Sequence, residues 1–203
     1  MFSDYQHQSG EALEIRDGKL DYFPVFLSAV ESKELSQQIL NELVFQQNQI
    51  KIFGKQIAVP RLEAYFSLNG ENYGYSGQQL KNQPFPKFLN DLRLIVEAKT
   101  GYTYNALLIN LYRDGQDSNG WHADNEKSLG TNPSIASLSL GAERPFELKH
   151  ANYGRKLKLQ LADGSLLHMH GELQHHWKHQ LPKVRNFTGQ RINLTFRKIV
   201  ASI

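Results

Sequence analysis

Cysteine is absent from the 203-residue chain. That excludes disulfides, thiolate metal ligands and cysteine nucleophiles, so any metal must rest on histidine and carboxylate. Long apolar runs are missing too, and no stretch approaches the roughly 20 residues that span a bilayer. The opening residues, MFSDYQHQSGEALEI, lack the basic segment and apolar run of a secretory signal. The expected location is the cytoplasm, or the nucleus in a eukaryotic cell. Charge is nearly balanced: 23 Lys and Arg against 20 Asp and Glu leave a net +3, which permits a nucleic-acid partner without requiring one. There are no repeats, linkers or low-complexity tracts, and the length suits one domain over residues 1–203.

What is present reads as α+β. A polar arm leads to a short strand from Lys19 to Phe26. Ser28 and Glu31 have the spacing of a capping box, and Ala29, Leu35, Ile39, Leu40 and Leu43 then supply the apolar face of a helix. Residues 50–57 alternate apolar with Lys or Gln around Gly54, the pattern of a hairpin. The apolar pair Ile52-Phe53 beside that turn has two readings, a core contact or a wedge of the kind that enters a base stack. Tyr73 and Tyr75 lie among Gly and Asn, either as rings for stacking on a base or as filling for a hydrophobic seam. Pro84-Phe85-Pro86 opens a second helix from Lys87 to about Lys99, with Phe88, Leu92, Ile95 and Val96 inward and Gly101 as its stop. Strands are expected at 105–112, 120–124, 134–141, 144–149, 155–161, 165–170, 174–179 and 190–199. Two helices followed by about eight short antiparallel strands suggest a double-sheet jelly roll with helices packed outside.

The stretch Leu107–Glu126, LLINLYRDGQDSNGWHADNE, stands apart. An apolar strand carries Asn110 and Tyr112, breaks into a loop at Arg113–Gly120, and resumes at Trp121-His122-Ala123-Asp124. His and Asp at i and i+2 on an extended segment share a face, where they could hold a metal. A further ligand could come from His168, His170, His175, His176 or His179, and spacing does not choose among them. Two His and one carboxylate compose the facial triad of non-haem Fe(II) oxygenases. On the last strand, Arg191, Asn193, Thr195 and Arg197 share one face and Ile192, Leu194 and Phe196 the other. Two Arg on an inner face are costly unless they meet anions, and as two forks they could hold both ends of a short dicarboxylate. The competing reading is a solvent-facing polar strand.

Taken together these segments resemble AlkB-type Fe(II)- and 2-oxoglutarate-dependent nucleic-acid dealkylases. The resemblance covers about Lys51 to Ile199. It rests on Asn110-x-Tyr112, His122-x-Asp124-x-Glu126, His179-Gln-Leu-Pro182 and Arg191-x-Asn193-Leu-Thr-Phe-Arg197, in that order. It implies a double-stranded β-helix (jelly roll) with a nucleotide-recognition lid. It implies that His122, Asp124 and His179 bind Fe(II), and that Asn110, Tyr112, Arg191, Asn193 and Arg197 hold 2-oxoglutarate for a reaction with O2. Ile52-Phe53-Gly54-Lys55 and the following Val59-Pro60-Arg61 look like the finger hairpin of homologues that act on duplex DNA, making Phe53 and Arg61 substrate contacts. Tyr73 and Tyr75 match the lid, with Tyr75 stacked on the base, and Glu126 faces its exocyclic edge.

The implied reaction is oxidative demethylation of bases such as 1-methyladenine and 3-methylcytosine in alkylated DNA, by a monomer. The short connection Asn152–Lys156 departs from the duplex-acting relatives, which carry a longer basic loop there, and leaves single strands equally open. Competing readings are an oxygenase of the same fold acting on RNA, protein or a small molecule, a zinc hydrolase on the same three ligands, and a non-catalytic nucleic-acid binding module.

Overall fold

The computed structural model describes residues 10–13, 15–52, 55–70, 73–75 and 78–200, with backbone only at 51–52, 73–75 and 78–79. Strands β1 (Glu11–Leu13) and β2 (Lys19–Phe23) precede helix α1 (Ala29–Glu42). A hairpin of β3 (Gln49–Ile52) and β4 (Lys55–Ala58) leads into β5 (Leu62–Ser67). A second hairpin, β6 (Tyr73–Tyr75) and β7 (Gln78–Leu80), is followed by β8 (Asn82–Gln83) and helix α2 (Lys87–Thr100). The remainder is mostly strand: β9 (Ala106–Tyr112), β10 (Asn119–His122), β11 (Ile135–Gly141), β12 (Arg144–His150), β13 (Lys156–Leu161) and β14 (Leu166–His170). One helical turn, α3 (Leu173–His176), then precedes β15 (Trp177–Leu181) and β16 (Arg191–Arg197).

Apart from the hairpins β3–β4 and β6–β7, these strands form two facing sheets, a jelly roll. The larger runs β1-β2-β14-β11-β16-β9-β5-β8 and the smaller β10-β15-β12-β13. All pairings in them are antiparallel except β5 with β8. The central strands of the large sheet are buried on both faces, so β9 and β16 show no exposed residue. Leu107, Ile109 and Leu111 of β9 and Ile192, Leu194 and Phe196 of β16 face α1 and α2 in one core. Leu108, Leu148, Leu167, Met169 and Trp177 fill the space between the sheets in a second. On β9 and β16 the polar residues fall on that inner face, as the alternation of the last strand requires. The outer edge of the small sheet keeps one wet face: Leu157 and Leu159 are half-buried while Lys156, Lys158 and Gln160 are exposed.

Both helices start and stop where their caps lie. Ser28 and Glu31 form the reciprocal capping box, worth about 1 kcal/mol, and Gly101 ends α2 at φ +76°, a conformation that favours glycine. The inward faces are shifted from those expected. In α1 the buried positions are Ser32, Leu35 and Ile39, while Leu40 is 40% exposed. In α2 Leu89 is buried with Leu92 and Val96, and Phe88 and Ile95 are only half-covered.

Two strand assignments are corrected. Residues 174–176 are helical, and the strand starts at Trp177. Strand β5 was not expected, because its run of buried residues from Glu63 to Ser67 has no period-2 alternation to betray it.

Candidate active site

Cross-strand register assembles the site. On the large sheet Asn110 pairs with Asn193 and Tyr112 with Arg191, so four of the expected co-substrate residues form two adjacent rungs of β9 and β16. On the small sheet His122 stands directly opposite His179, with ring centroids 4.2 Å apart. Strand β10 ends at His122, so Asp124 lies beyond it rather than on the same strand face. What holds Asp124 is its backbone N–H, which donates to Oε1 of the buried Gln174 at 2.9 Å. The turn α3 thus positions a metal ligand. Ligand atoms of His122, Asp124 and His179 all lie within 4.8 Å of one another.

The donor chemistry fits a divalent ion. His122 Nδ1 donates to the Gly120 carbonyl at 2.7 Å, which makes Nε2 the unprotonated nitrogen, accepting from Asn119 Nδ2 at 3.2 Å in the metal-free protein and able to ligate a metal. Burial drives the His179 imidazolium down to about 3, with His122 adding to the effect. Burial also lowers His122. For Asp124 burial alone would raise the carboxyl, but Arg197, His179 and His122 together override it and hold it at about 2. At neutral pH the three therefore present two neutral imidazoles and one carboxylate, the ligand set of a facial triad.

Those shifts predict a pH dependence for the metal-free protein. Both folded-state values lie below the unfolded ones, so the unfolded chain binds more protons and stability falls with acid. The loss starts as pH drops through about 6.5, where an unfolded histidine takes up a proton that His179 refuses. It deepens below about 4, as Asp124 stays ionised down to about 2. Thermal melts of metal-free protein should show Tm falling continuously from pH 7 to pH 4. A flat Tm over that interval would contradict this assignment of the charges.

Arg197 links the two sheets. Its Nη2 donates to Asp124 Oδ1 at 2.8 Å, both side chains being buried. Arg197 is thus turned to the metal end of the cavity that it lines together with Arg191. Arg191 is different. It is 2% exposed, its Nη2 donates to Ser139 Oγ at 2.8 Å, and it lies against the Tyr112 ring. Among the described residues no carboxylate pairs with it, and its buried Nε has no hydrogen-bond partner. Burial pushes this guanidinium down to about 10. An unpaired buried cation costs several kcal/mol, and an incoming carboxylate relieves that cost. The arrangement fits a dicarboxylate entering between Arg191 and the metal ligands, in the cavity that both groups line.

Arg61 sits deeper than a nucleic-acid contact would. It is 3% exposed, pairs with Glu63 at 2.8 Å, and donates to Asn110 Oδ1 at 3.0 Å and Asn119 Oδ1 at 3.2 Å. Asn119 in turn lies 3.2 Å from His122 Nε2. Arg61 thus orients one expected co-substrate residue, Asn110, and one neighbour of the metal ligands, Asn119. Glu126 is half-buried at the start of a 3-10 turn, Lys127–Leu129, directly after the metal segment. Phe53 lies outside the described residues, and of Tyr73 and Tyr75 the backbone alone is described, in β6.

Four site residues had not been singled out from the sequence: Glu63, Asn119, Ser139 and Gln174. Glu63 carried a signal, a lone acid two residues from Arg61 inside an apolar run. Among the histidines, His168 and His170 share one face of β14, and His175 and His176 fall on α3.

A jelly roll with this donor set defines an oxygenase of the iron and 2-oxo-acid type, and the chain belongs to the 2OG-Fe(II) oxygenase superfamily, whose family model matches residues 19–197. Within it the chain is an AlkB-type dioxygenase that uses Fe(II), 2-oxoglutarate and O2. It is 36% identical over 189 residues to the human DNA oxidative demethylase ALKBH2, covering 88% of this chain and 72% of that protein. To the mouse ALKBH2 it is 35% identical over 208 residues, covering 97% and 84%. The human alpha-ketoglutarate-dependent dioxygenase alkB homolog 3 is 35% identical over 189 residues, with 87% and 65% covered. The solved structure of OsALKBH1 superposes with a TM-score of 0.67 at 18% identity, over 92% of this chain and all of that one, a likeness of fold.

Proposed function

We propose that this enzyme is a direct-reversal repair demethylase acting on N-alkylated bases in DNA, with 1-methyladenine and 3-methylcytosine as substrates. The observation that carries the reading is the similarity to DNA oxidative demethylases over nearly the whole chain. Bound iron, 2-oxoglutarate and O2 supply oxidation of the N-methyl carbon, with succinate, CO2 and formaldehyde as products. The chain's own residues do the rest. Arg191 takes the far carboxylate of the co-substrate, Asn110 and Asn193 orient it, and His122, Asp124 and His179 hold iron. Arg197 keeps Asp124 ionised and in place. Methylation at these ring nitrogens makes the base cationic and unable to pair, so it costs least to flip. A cationic ring gains from stacking on Tyr75 and from a carboxylate at Glu126.

Phe53, which lies between β3 and β4 in the sequence, is assigned the role of a wedge that fills the gap left by the flipped base. On this reading Phe53→Ala lowers repair of duplex several-fold more than repair of single strands; equal losses on both would remove the wedge. The five-residue connection at 151–155 offers little to grip a complementary strand, and supports activity on single strands as well. RNA is the second polynucleotide to test. The enzyme acts as a cytoplasmic monomer, or a nuclear one in a eukaryotic cell.

The experiment is formaldehyde release from oligonucleotides carrying 1-methyladenine or 3-methylcytosine, single-stranded and duplex, in DNA and RNA, beside unmethylated controls. Release from the methylated DNA alone is expected. No release from any of them would end this reading.

A further inference from the structure

A second His/carboxylate cluster sits on the opposite face of the large sheet. His168 on β14 pairs in register with Asp21 on β2, and His170 follows two residues on, on the same face. His168 Nδ1 is 3.4 Å and His170 Nε2 2.8 Å from the same oxygen, Asp21 Oδ2. The two rings stack 4.2 Å apart at 4°, and one candidate ligand atom from each of the three lies within 4.8 Å of the other two. The intervening Met169 points the other way and lines the catalytic cavity.

We infer that Asp21, His168 and His170 form a second site, back to back with the catalytic centre, for a divalent transition ion of the zinc type. Two imidazoles and a carboxylate suit such ions. The nitrogen each ring would keep for its proton already has an oxygen acceptor. His168 Nε2 is 2.8 Å from Ser134 Oγ, which continues to Tyr104 Oη at 2.9 Å. His170 Nδ1 is 3.4 Å from Tyr102 Oη. Hydroxyls can donate or accept, so both rings can release their inward nitrogens to a metal while the outer ones stay hydrogen-bonded, as ligating histidines require. Asp21 and His170 are partly exposed, which leaves an entry path.

The other cluster of this composition, Asp17, His150 and His176, lacks that freedom. His150 Nδ1 accepts the backbone N–H groups of Asn152 and Tyr153, so its proton is placed on Nε2, which donates to Asp17 at 3.1 Å. It is a filled hydrogen-bond network. Bound at the Asp21 site, an ion would tie the N-terminal strand β2 to β14. It would act as a structural clasp, independent of the catalytic ion.

The test counts zinc retained by the metal-stripped, untagged full chain after equilibration with Zn(II) and dialysis. The intact protein should hold two equivalents and His122→Ala one. Asp21→Asn and His170→Gln should each hold one, and either combined with His122→Ala none. Neither Asp21 nor His170 is fully buried, and melts without zinc verify that each variant folds. Zinc should raise the Tm of His122→Ala and leave that of Asp21→Asn/His122→Ala unmoved. One equivalent on the intact protein would overturn the proposal. So would a second equivalent that survives in Asp21→Asn and His170→Gln, or that is lost in His176→Gln.

Discussion

Asp124→Ala should abolish formaldehyde release, by at least about a thousandfold, and leave iron weakly held. Its loss takes the only carboxylate from the triad and at the same time breaks the buried ion pair with Arg197, which is 6% exposed and donates to Asp124 Oδ1. Breaking a buried pair by removing one partner costs about 3–5 kcal/mol, so the metal-free variant should also melt well below the parent. Asp124→Asn separates the two effects. It keeps the volume and a hydrogen-bond acceptor for Arg197, and should recover part of the stability and none of the turnover. An Asp124→Ala protein that still releases formaldehyde with saturating iron would sink the assignment of the metal centre.

Arg191→Met should behave in the opposite sense on stability. In the co-substrate-free protein this cation is buried without a carboxylate partner among the described residues, so an apolar side chain of similar length should leave Tm unchanged or raise it. Its cost should appear on 2-oxoglutarate instead. Truncating one partner of a buried charge pair costs about 2–5 kcal/mol, which corresponds to roughly 30- to 5,000-fold in the 2-oxoglutarate KM. Arg191→Lys should not restore the parent value, because a point charge does not reproduce the two-pronged contact. Titrating 2-oxoglutarate at saturating iron reads the effect. An unchanged KM in Arg191→Met would show that the co-substrate carboxylate is held elsewhere.

The contrast between these two variants follows from how the fold divides the site. The small sheet carries two metal ligands as a cross-strand pair, His122 and His179. The large sheet carries the residues proposed to cradle the co-substrate as two rungs, Asn110–Asn193 and Tyr112–Arg191. Arg197–Asp124 closes the gap between them. Because the pair is made inside the protein, it belongs to folding as much as to catalysis, whereas on the proposed reading Arg191 meets its carboxylate only when the co-substrate arrives.

Much of this was legible in the residues. The alternation of Arg191, Asn193, Thr195 and Arg197 against Ile192, Leu194 and Phe196 foretold a strand with a polar inner face. The capping box of Ser28 and Glu31 and the stop at Gly101 marked the helix ends. Other features left no local trace. Strand β5 is buried on both faces, so it has no polar-apolar rhythm to read. The turn α3 hides in a histidine-rich stretch that looked extended, and with it the role of Gln174. The pairing of Arg197 with Asp124 also left no trace, because chain spacing reports neither which sheet Asp124 faces nor how far a guanidinium must reach. Arg61 was read as part of a hairpin at the surface, and only the pairing of β5 with β9 shows that it turns inward to Glu63 and Asn110.

The central claim is that one cavity couples 2-oxoglutarate turnover to removal of a methyl group from a DNA base. The most direct measurement is succinate and formaldehyde from the same reaction on a 1-methyladenine oligonucleotide. One succinate per formaldehyde is predicted, with both lost when iron or 2-oxoglutarate is withheld. Formaldehyde release that persists without 2-oxoglutarate would contradict the account, and so would succinate formed at an undiminished rate when the methylated oligonucleotide is left out.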